Sequence, residues 1–337
     1  MLMTKSNEMK LIFFNRNPQA GFSIAKVFNT IKPGIRKQVD FEDYDVPERR
    51  AGLWSVVKNI FFVIKHRNSK AVHHVTGDIH YTLIGLIGCK TVLTVHDTSS
   101  LDFPKNPIKR LLIKWLWYKI PLAIADKVIC ISDHTKIQLS RLTNRKDLLV
   151  IPNAVDQMFS YKPKNFNTNQ PVILQVGTAW NKNLINVVKA LEPMNIKFII
   201  VGQLNDEQQA VVKSSGLLIE LKENLSDLQL LELYESCDII SFCSVYEGFG
   251  MPIIEGNAVG RCVVTSSISP MLEIAHNAAL FADPYDVQSI RNCFSQLIQD
   301  SELKVELIKN GLENVERFQP EAVVAAYMNL YLEIAKR

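Results

Sequence analysis

Short apolar runs alternate with segments of helix length along the whole chain, and this alternation constrains the fold more than any other feature of the sequence. Runs rich in β-branched residues predict strands, and each is followed by room for a helix. The predicted strands are 10–14, 71–75, 91–95, 127–131 and 148–151, then 172–176, 197–201, 217–221, 239–243, 262–265 and 279–281. Strands that alternate with helices form parallel sheets, so the expected fold class is α/β.

The alternation restarts after a polar stretch at 162–170, which is rich in Pro, Asn and Lys and predicts a linker. A chain of 337 residues with 47% hydrophobic residues can bury two cores. We therefore expect two Rossmann-like, doubly wound domains, 1–160 and 170–319, whose strand ends face a cleft.

Charge is distributed unevenly between the two halves. Residues 1–170 hold 26 Lys and Arg against 13 Asp and Glu, and residues 171–337 hold 12 against 21, which gives +13 and −9. Such a split predicts that the first half meets an anionic partner or surface. No nucleic-acid partner is expected.

The cysteines and the apolar runs indicate the compartment. The six cysteines are scattered, without a C-x-x-C pair or metal-ligand spacing, and are interpreted as reduced packing thiols. The N-terminus does not resemble a secretory signal, and no apolar run approaches the roughly 18 to 20 residues that a membrane span needs. The expected location is cytoplasmic, or peripheral on the inner face of the cell membrane.

Two glutamates, Glu247 and Glu255, lie on either side of a turn punctuated by two glycines. The glycines allow a sharp turn with bare N–H groups, and residues 251–259 then predict a helix. Carboxylates accept hydrogen bonds from sugar hydroxyls, while N–H groups at a helix N-terminus favour phosphate. The pattern predicts a nucleotide-sugar site; a turn before a buried helix with two surface glutamates is the alternative.

Other candidates follow predicted strands, where an α/β site would lie. Gly177 stands at a tight turn before Lys182, which is placed to bind a diphosphate or is a solvated loop lysine. His96 ends another strand beside Asp97 and is able to donate to phosphate or a hydroxyl, or is structural. Gly21 stands alone, and the missing G-x-G-x-x-G fingerprint argues against an NAD-dependent dehydrogenase.

These motifs resemble the group-1 retaining glycosyltransferases of bacterial polysaccharide and lipopolysaccharide synthesis, which have the two-domain GT-B fold. The agreement is densest at 225–286, including Tyr-Glu-Gly-Phe-Gly-Met-Pro at 246–252. Thr-Val-His-Asp at 94–97 and Val-Gly-Thr at 176–178 follow the family order. Residues 1–70 match poorly. The resemblance also implies that the last helix, 320–337, belongs to the N-terminal, acceptor-binding domain, whereas 170–319 binds the donor.

The resemblance implies roles for the matching residues. Glu247 would hold hydroxyls of the donor sugar, Glu255 the nucleotide ribose, and Lys182 the diphosphate. His96 would lie at the sugar–phosphate junction, and Gly21 would let the first loop approach the donor phosphates. The remaining donor-binding residues, at the two glycine turns, would be Gly177, Thr178, Phe249, Gly250 and Met251.

Catalysis is assigned to His96, Lys182 and Glu247. The sugar becomes cation-like as the bond to the diphosphate breaks, so fixed donors must stabilise the phosphate charge. The family implies retention of configuration, with Glu247 positioning the sugar rather than attacking it. No metal and no cofactor are expected besides the nucleotide-diphosphate sugar, which is a co-substrate. Thr178 replaces a common family arginine, and Arg16 or Arg261 would have to compensate.

Residues 105–119 contain five Lys or Arg, no acid, two tryptophans and a tyrosine. On one helix they would form an apolar stripe beside basic charge, which is typical of peripheral membrane helices, although such stripes commonly face a core. The residues assigned to the acceptor or membrane side are Lys109, Arg110, Lys114, Trp115 and Trp117.

The function that fits these expectations is transfer of a sugar from a nucleotide-diphosphate sugar to a glycan or lipid-linked acceptor in surface polysaccharide biosynthesis. An anionic membrane surface is a further expected partner. Two alternatives remain open at this point: a nucleotide-sugar epimerase on the same fold, and a non-catalytic module that binds glycans or nucleotides.

Overall fold

The computed structural model describes residues 9–20, 23–50, 52–101 and 106–336. By residue contacts the chain divides into unit 1, Met1–Ala154 with Gln319–Arg337, and unit 2, Val155–Phe318. In the described ranges each unit holds one parallel six-stranded sheet flanked by helices. The prediction of two Rossmann-like α/β domains is therefore confirmed.

The sheet of unit 1 has the order β2-β1-β3-β4-β5-β6, with every neighbouring pair parallel. Its strands are β1 (Lys10–Asn15), β2 (Phe41–Asp45), β3 (Ala71–Val75), β4 (Lys90–Val95), β5 (Lys127–Cys130) and β6 (Leu148–Val150). Every residue of β3 is buried, as expected for a strand covered on both faces. The strand order reverses between β1 and β3, which is where α/β sheets of this kind bind ligands.

The helices of unit 1 before its last strand are short to medium in length. They are α1 (Ser23–Arg36), α2 (Leu53–His66), α3 (Pro107–Ile113), a π-helix (Lys114–Lys119), α4 (Ile120–Ile124) and α5 (Asp133–Ser140), with 3₁₀ turns at Pro18–Ala20, His80–Leu86 and Ser99–Leu101. The π-helix breaks the regular helix expected at 105–119. A wider turn rotates the residues that follow, so an i, i+3, i+4 stripe does not continue through it.

The sheet of unit 2 has the order β12-β11-β10-β7-β8-β9, again parallel throughout. Its strands are β7 (Val172–Val176), β8 (Lys197–Val201), β9 (Leu218–Lys222), β10 (Ile239–Phe242), β11 (Cys262–Ser266) and β12 (Leu280–Ala282). Its helices are α6 (Leu184–Leu191), α7 (Asp206–Ser214), α8 (Asp227–Ser236), α9 (Met251–Val259), α10 (Met271–Ala275), α11 (Val287–Gln299) and α12 (Ser301–Val315), with 3₁₀ turns at Trp180–Lys182 and Glu316–Phe318. Here the order reverses between β7 and β10.

The last helix, α13 (Pro320–Ala335), belongs to unit 1. The Tyr331 hydroxyl lies 2.7 Å from Nδ1 of His74 on β3. Gly34 of α1 allows close approach, because a Cβ there would lie 2.9 Å from Cγ2 of Val324. This helix therefore completes the core of unit 1 rather than that of unit 2.

The stretch 162–170 lies inside unit 2, so the division falls earlier than the expected linker. The buried carboxylate of Asp238 holds this stretch: it pairs with Lys164 and accepts from the backbone N–H of Asn167 at 3.1 Å and of Val172 at 2.8 Å. A Pro- and Asn-rich composition did not reveal this partner, since the acid lies far away in sequence.

Two further expectations concern the cysteines and the membrane. The six thiols are free, and burial raises the pKa of Cys130, Cys237 and Cys262 to about 12, so these thiols are unreactive packing groups. Among the helices of the described ranges, none has both the length and the apolar character needed to cross a bilayer.

Candidate active site

The sequence-predicted residues of unit 2 come together where its strand order reverses. The turn after β7 carries Gly177 and Lys182, and the turn after β10 carries Glu247. Because β7 and β10 are paired neighbours, the two turns emerge side by side at the carboxyl edge of the sheet.

Gly177 shapes the first turn. Its φ of +96° lies in the region that favours glycine, and a Cβ there would lie 3.1 Å from Cε of Lys182. The carbonyl of Lys182 accepts a hydrogen bond from the Gln175 amide at 3.2 Å. The missing side chain thus lets the lysine fold across its own turn.

Lys182 and Glu247 form an ion pair. Lys182 Nζ lies 2.8 Å from Oε1 of Glu247 and 4.6 Å from the centroid of the Phe242 ring. The side chains are 20% and 16% exposed, so the pair is partly shielded from water. Separate roles were expected for these two residues, and their direct contact could not be read from the sequence.

Asn181 is a site residue that the sequence interpretation passed over. Its side-chain amide donates to Oε1 of Glu247 at 3.0 Å and to the carbonyl of Tyr246 at 2.9 Å, and its own carbonyl accepts from Val245 N–H at 2.8 Å. Oε1 of Glu247 thus receives two donors, while Oε2 accepts none from the described residues. The signal was present in the sequence as an asparagine next to Lys182 at a strand end.

Helix α9 begins beside this pair. Its N-cap, Gly250, has φ +131° and ψ 52°, and Pro252 follows in the first turn. Within the described part of the chain, the N–H groups of Phe249, Gly250 and Met251 donate to no protein acceptor. Adjacent bare N–H groups at a helix N-terminus form a site for an anion. The side chain of Phe249 itself is buried and packs on the core.

Glu255 lies on α9 and is 7% exposed, so it is not a surface glutamate. The Tyr234 hydroxyl donates to its Oε2 at 2.6 Å. Burial, followed by the charge of Glu255, raises the pKa of Tyr234 well above its usual value, so the phenol stays protonated and remains a donor. One oxygen of Glu255 is therefore already held in place by the protein.

The two cations expected to compensate for Thr178 are committed elsewhere. The guanidinium of Arg261 is buried, and it donates to backbone carbonyls that include those of Tyr234, Lys162 and Glu235, at 3.1, 3.0 and 2.8 Å. Arg16 pairs with Asp78 in unit 1 at 3.1 Å. The idea that Arg261 replaces the missing family arginine is therefore wrong, because a buried guanidinium that holds the core together cannot turn to a ligand.

His96 lies in unit 1, after β4. Its Nε2 lies 2.8 Å from the carbonyl of Thr76, so Nε2 carries the proton. Burial lowers the pKa of His96, against the opposing effects of that hydrogen bond and of Asp97. The neutral ring thus presents Nδ1 as an acceptor and, in this tautomer, has no second N–H for a phosphate. Gly21, the other donor-loop candidate of this unit, lies outside the described residues.

The residues at 105–119 divide into exposed and buried groups. Lys109, Arg110, Lys114 and Trp115 are exposed, and Ile108, Leu111 and Leu112 are exposed apolar neighbours. Trp117 is buried instead: its ring is tilted by 59° against that of Tyr81, with ring centroids 4.6 Å apart, and its indole N–H donates to the carbonyl of Asp78 at 3.1 Å. Of the two places expected for Trp117, the acceptor side and the membrane side, its burial excludes an exposed, membrane-facing position, because the π-helix turns the side chain inward.

The chain contains a D-x-D tripeptide, Asp43-Tyr44-Asp45, on the edge strand β2. Asp43 is engaged by Lys32 at 2.8 Å and by the amide of Asn15 at 2.6 Å. In the described ranges no group of three or more His, Cys, Asp or Glu side chains is arranged to hold a metal ion.

Two family matches cover most of the chain. Residues 156–314 match the glycosyl transferases group 1, and residues 31–158 match glycosyltransferase family 4. An uncharacterized glycosyltransferase of Methanocaldococcus jannaschii is 29% identical over 72% of this chain and 68% of its own length. The O-antigen chain mannosyltransferase B of Escherichia coli is 25% identical over 72% of this chain and 70% of its own.

A third relative spans nearly the whole chain. The GalNAc-alpha-(1->4)-GalNAc-alpha-(1->3)-diNAcBac-PP-undecaprenol alpha-1,4-N-acetyl-D-galactosaminyltransferase of Campylobacter jejuni is 22% identical over 98% of this chain and 92% of its own length.

Solved structures share the fold. Sucrose-phosphate synthase from Thermosynechococcus elongatus superposes with a TM-score of 0.80 at 18% identity, covering 97% of this chain and 99% of that one. The Anabaena protein Alr3699/HepE, solved in complex with UDP-glucose, superposes with a TM-score of 0.78 at 16% identity, covering 96% and 99%. With the two family matches meeting end to end and the charged pair at the strand reversal of unit 2, the chain belongs to the group-1 glycosyltransferases.

Proposed function

We propose that this glycosyltransferase moves a sugar from a nucleotide-diphosphate sugar to a glycan or lipid-linked acceptor in the synthesis of a surface polysaccharide. The observation that carries the proposal is the grouping of Lys182, Glu247 and the bare N–H groups of 249–251 at one edge of unit 2. The proposal is also supported by two relatives, one named as an O-antigen chain mannosyltransferase and one as a transferase that acts on a PP-undecaprenol glycan, and by a structural neighbour solved with UDP-glucose.

The chemistry of the site fits a diphosphate leaving group. Lys182 spends one N–H on Glu247 and has two more for phosphate oxygens. The N–H groups at the start of α9 are fixed before reaction, so they stabilise developing negative charge without reorganisation. Together they supply the charge stabilisation that a divalent cation would otherwise provide, and we infer a metal-independent transfer. Rates that stay unchanged in excess EDTA are expected; activity that returns only with added Mg²⁺ or Mn²⁺ would contradict this.

Glu247 acts as a positioning residue in this account. Its Oε1 accepts hydrogen bonds from Lys182 and Asn181. Its Oε2 is therefore the oxygen that accepts hydrogen bonds from hydroxyls of the donor sugar. The acceptor oxygen forms the new bond to C1 as the bond from C1 to the phosphate oxygen breaks, and the acceptor proton passes to the leaving diphosphate. Attack from the face of departure retains configuration. NMR of the product anomeric proton tests this, and an inverted anomer would overturn it.

His96 takes a narrower role than the sequence suggested. The Nε2–H of His96 donates to the carbonyl of Thr76. The neutral ring therefore accepts a hydrogen bond from a hydroxyl of the transferred sugar through Nδ1, and it does not donate to phosphate. Protonation would convert that acceptor into a donor. Transfer should therefore fall at acidic pH with a titration that disappears in His96→Gln.

The exposed apolar side chains of α2 and of residues 108–115 support contact with a membrane. Trp54 and Phe61 on α2 are 78% and 67% exposed, beside Lys58 and Lys65. Apolar groups flanked by lysine favour an anionic lipid surface. We expect sedimentation with anionic vesicles that weakens with salt. Equal retention on neutral vesicles, or none on either kind, would count against it.

The test of the proposed function has two steps. A thermal-shift panel of nucleotide diphosphates and their sugars should show selective stabilisation, since a ligand that binds only the folded state raises its melting temperature. Product analysis with the stabilising donor then separates transferase from epimerase. A transferase gives a free nucleotide diphosphate and a lengthened acceptor, whereas an epimerase gives an altered sugar nucleotide without any acceptor.

A further inference from the structure

Unit 1 has a cavity of its own. Its volume is about 620 Å³, and it is lined by the residues that follow β1 and β3 together with the start of α2 and the segment 109–117. It therefore lies where the strand order of unit 1 reverses, the position at which parallel sheets bind ligands.

The inner end of the cavity is polar. Arg16 and Asp78 form a 3.1 Å ion pair there, and Trp117 fixes the backbone of Asp78 through its indole N–H. Gly77, the residue before Asp78, packs directly on His96, since a Cβ there would lie 2.6 Å from Cδ2 of the ring. The polar end thus adjoins the histidine assigned to the sugar.

The cavity carries an excess of positive charge. Arg49, Arg50 and Lys109 line it and are exposed. Throughout the described ranges, no carboxylate lies within ion-pair distance of these three cations. The two acids of the lining are already engaged, Asp78 by Arg16 and Glu48 by Lys58 at 2.8 Å. The lining is therefore suited to a ligand with more than one negative charge.

The opposite walls are apolar. The aliphatic side chains that line the cavity come from α2 and from the segment 112–116: Leu53, Val56, Leu112, Ile113 and Leu116. Leu53 is 75% exposed and Leu112 is 56% exposed, so the apolar wall continues to the surface of unit 1. Aliphatic walls open to the surface gain free energy by covering an aliphatic chain.

We propose that this cavity binds the lipid-diphosphate portion of the acceptor, with the diphosphate among Arg49, Arg50 and Lys109 and the first part of the aliphatic chain between Leu53 and Leu112. The proposal rests on the proposed function, whose acceptor it narrows from glycan or lipid-linked to lipid-diphosphate-linked. The acceptor sugar would then extend toward the polar end, beside Asp78 and His96. The cations bind the diphosphate and the apolar wall binds the chain of the same molecule. A diphosphate without a chain, or a chain without a diphosphate, should therefore bind the cavity only weakly.

The direct test is equilibrium binding without membranes, by calorimetry on the full chain. The probe is geranyl diphosphate, a soluble prenyl diphosphate, compared with inorganic pyrophosphate, geraniol and a short-chain phosphatidylglycerol. We expect geranyl diphosphate to bind at least about tenfold tighter than each of the other three, since pyrophosphate lacks the aliphatic chain, geraniol lacks the charge, and phosphatidylglycerol carries a single negative charge. Equal binding of pyrophosphate would reduce the cavity to an anion site, and equal binding of phosphatidylglycerol would make it a general phospholipid site. Either result overturns the proposal.

Variants locate the binding. Arg49→Ala/Arg50→Ala should weaken geranyl diphosphate binding at least tenfold and raise the KM for a lipid-diphosphate acceptor more than it lowers kcat. Leu112→Gln should weaken geranyl diphosphate but not pyrophosphate. Lys70→Ala, which removes an exposed charge elsewhere in unit 1, is the matched control and should change neither.

The donor site gives the decisive contrast. Lys182→Met should leave geranyl diphosphate binding unchanged, and loss of binding in that variant would place the diphosphate in unit 2 and refute the proposal. The Arg49→Ala/Arg50→Ala variant should keep its thermal shift with the nucleotide donor. If no donor stabilises the wild type, the proposed function fails instead, whereas the geranyl diphosphate measurement still decides the cavity on its own.

Discussion

Replacing Lys182 by Met removes the counter-ion of Glu247 while keeping the volume of the stem. Breaking a buried pair costs about 3–5 kcal/mol, and an exposed pair is worth about 0–1 kcal/mol. This pair, with side chains 20% and 16% exposed, lies between those limits, and Asn181 still donates to the orphaned carboxylate. We expect Lys182→Met to destabilise unit 2 by about 2 kcal/mol, which for a unit of this size lowers its melting temperature by roughly 4–8 °C.

A double-mutant cycle with Glu247→Gln isolates the pair. The double variant should regain most of the lost stability, because neither charge is left uncompensated, with a coupling of about 1–2 kcal/mol. Transfer should not recover: the variants that lack Lys182 should lose roughly 100- to 1000-fold in kcat, since a fixed donor to the developing charge is worth about 2.7–4 kcal/mol. Glu247→Gln should also lose activity, because an amide oxygen accepts from the sugar hydroxyls less strongly than a carboxylate. Hydrogen exchange resolved by peptide reports unit 2 separately from unit 1. A coupling below about 0.5 kcal/mol, within the usual error of additivity, would refute the ion pair.

Three further predictions follow from single contacts. Tyr234→Phe removes the hydroxyl that donates to the buried Glu255 at 2.6 Å, and it should lower the free energy of unfolding by about 1–3 kcal/mol. It should also raise the KM for the nucleotide sugar. An unchanged KM would show that Glu255 does not belong to the ligand site. Gly177→Ala and Gly216→Ala both place a side chain at positive φ, +96° and +68°, so both should lower the melting temperature, Gly177→Ala by more because its Cβ also meets Lys182. Only Gly177→Ala crowds the lysine across its turn, and it alone should lose transfer activity by tenfold or more. Burial lowers the pKa of His80 from 6.5 to about 4. The neutral ring therefore contributes about 3 kcal/mol to the free energy of unfolding above pH 6.5, and this contribution is lost as the pH falls to 4. Denaturant unfolding at pH 6.5 and at pH 4 should show a difference in the wild type that is about 3 kcal/mol smaller in His80→Asn.

Much of the fold was predictable because parallel strands that are buried on both faces consist of consecutive apolar residues. The predicted strands are all present, with ends shifted by a residue or two, whereas β2 (Phe41–Asp45) was missed. Its sequence, FEDYD, holds three acids and only Phe41 is buried, because β2 lies at the edge of the sheet. Strand periodicity fails at edges, where one side of the ladder and most side chains meet water.

The position of the site was predictable from the sequence, whereas the contacts between its residues were not. The strand-end rule placed Lys182 and Glu247 correctly at the carboxyl edge, but their contact depends on the pairing of β7 with β10, which strand patterns do not specify. The same limit hid Asn181. The inward turn of Trp117 depends on a π-helix, for which the sequence has no periodic signal. The cavity of unit 1 could not be predicted because its lining comes from five separate segments of the chain.

We propose that Glu247 holds the nucleotide-sugar donor during transfer. The most direct test is the initial rate of labelled-sugar transfer to a lipid-linked acceptor by the wild type, Glu247→Ala and the control Glu306→Ala. Glu306 is an exposed glutamate on α12 of the same unit. We predict a rate at least about 100-fold lower for Glu247→Ala with the fold intact by circular dichroism, because the donor sugar is no longer held in position, and a wild-type rate for the control. A folded Glu247→Ala enzyme that transfers at nearly the wild-type rate would contradict the account.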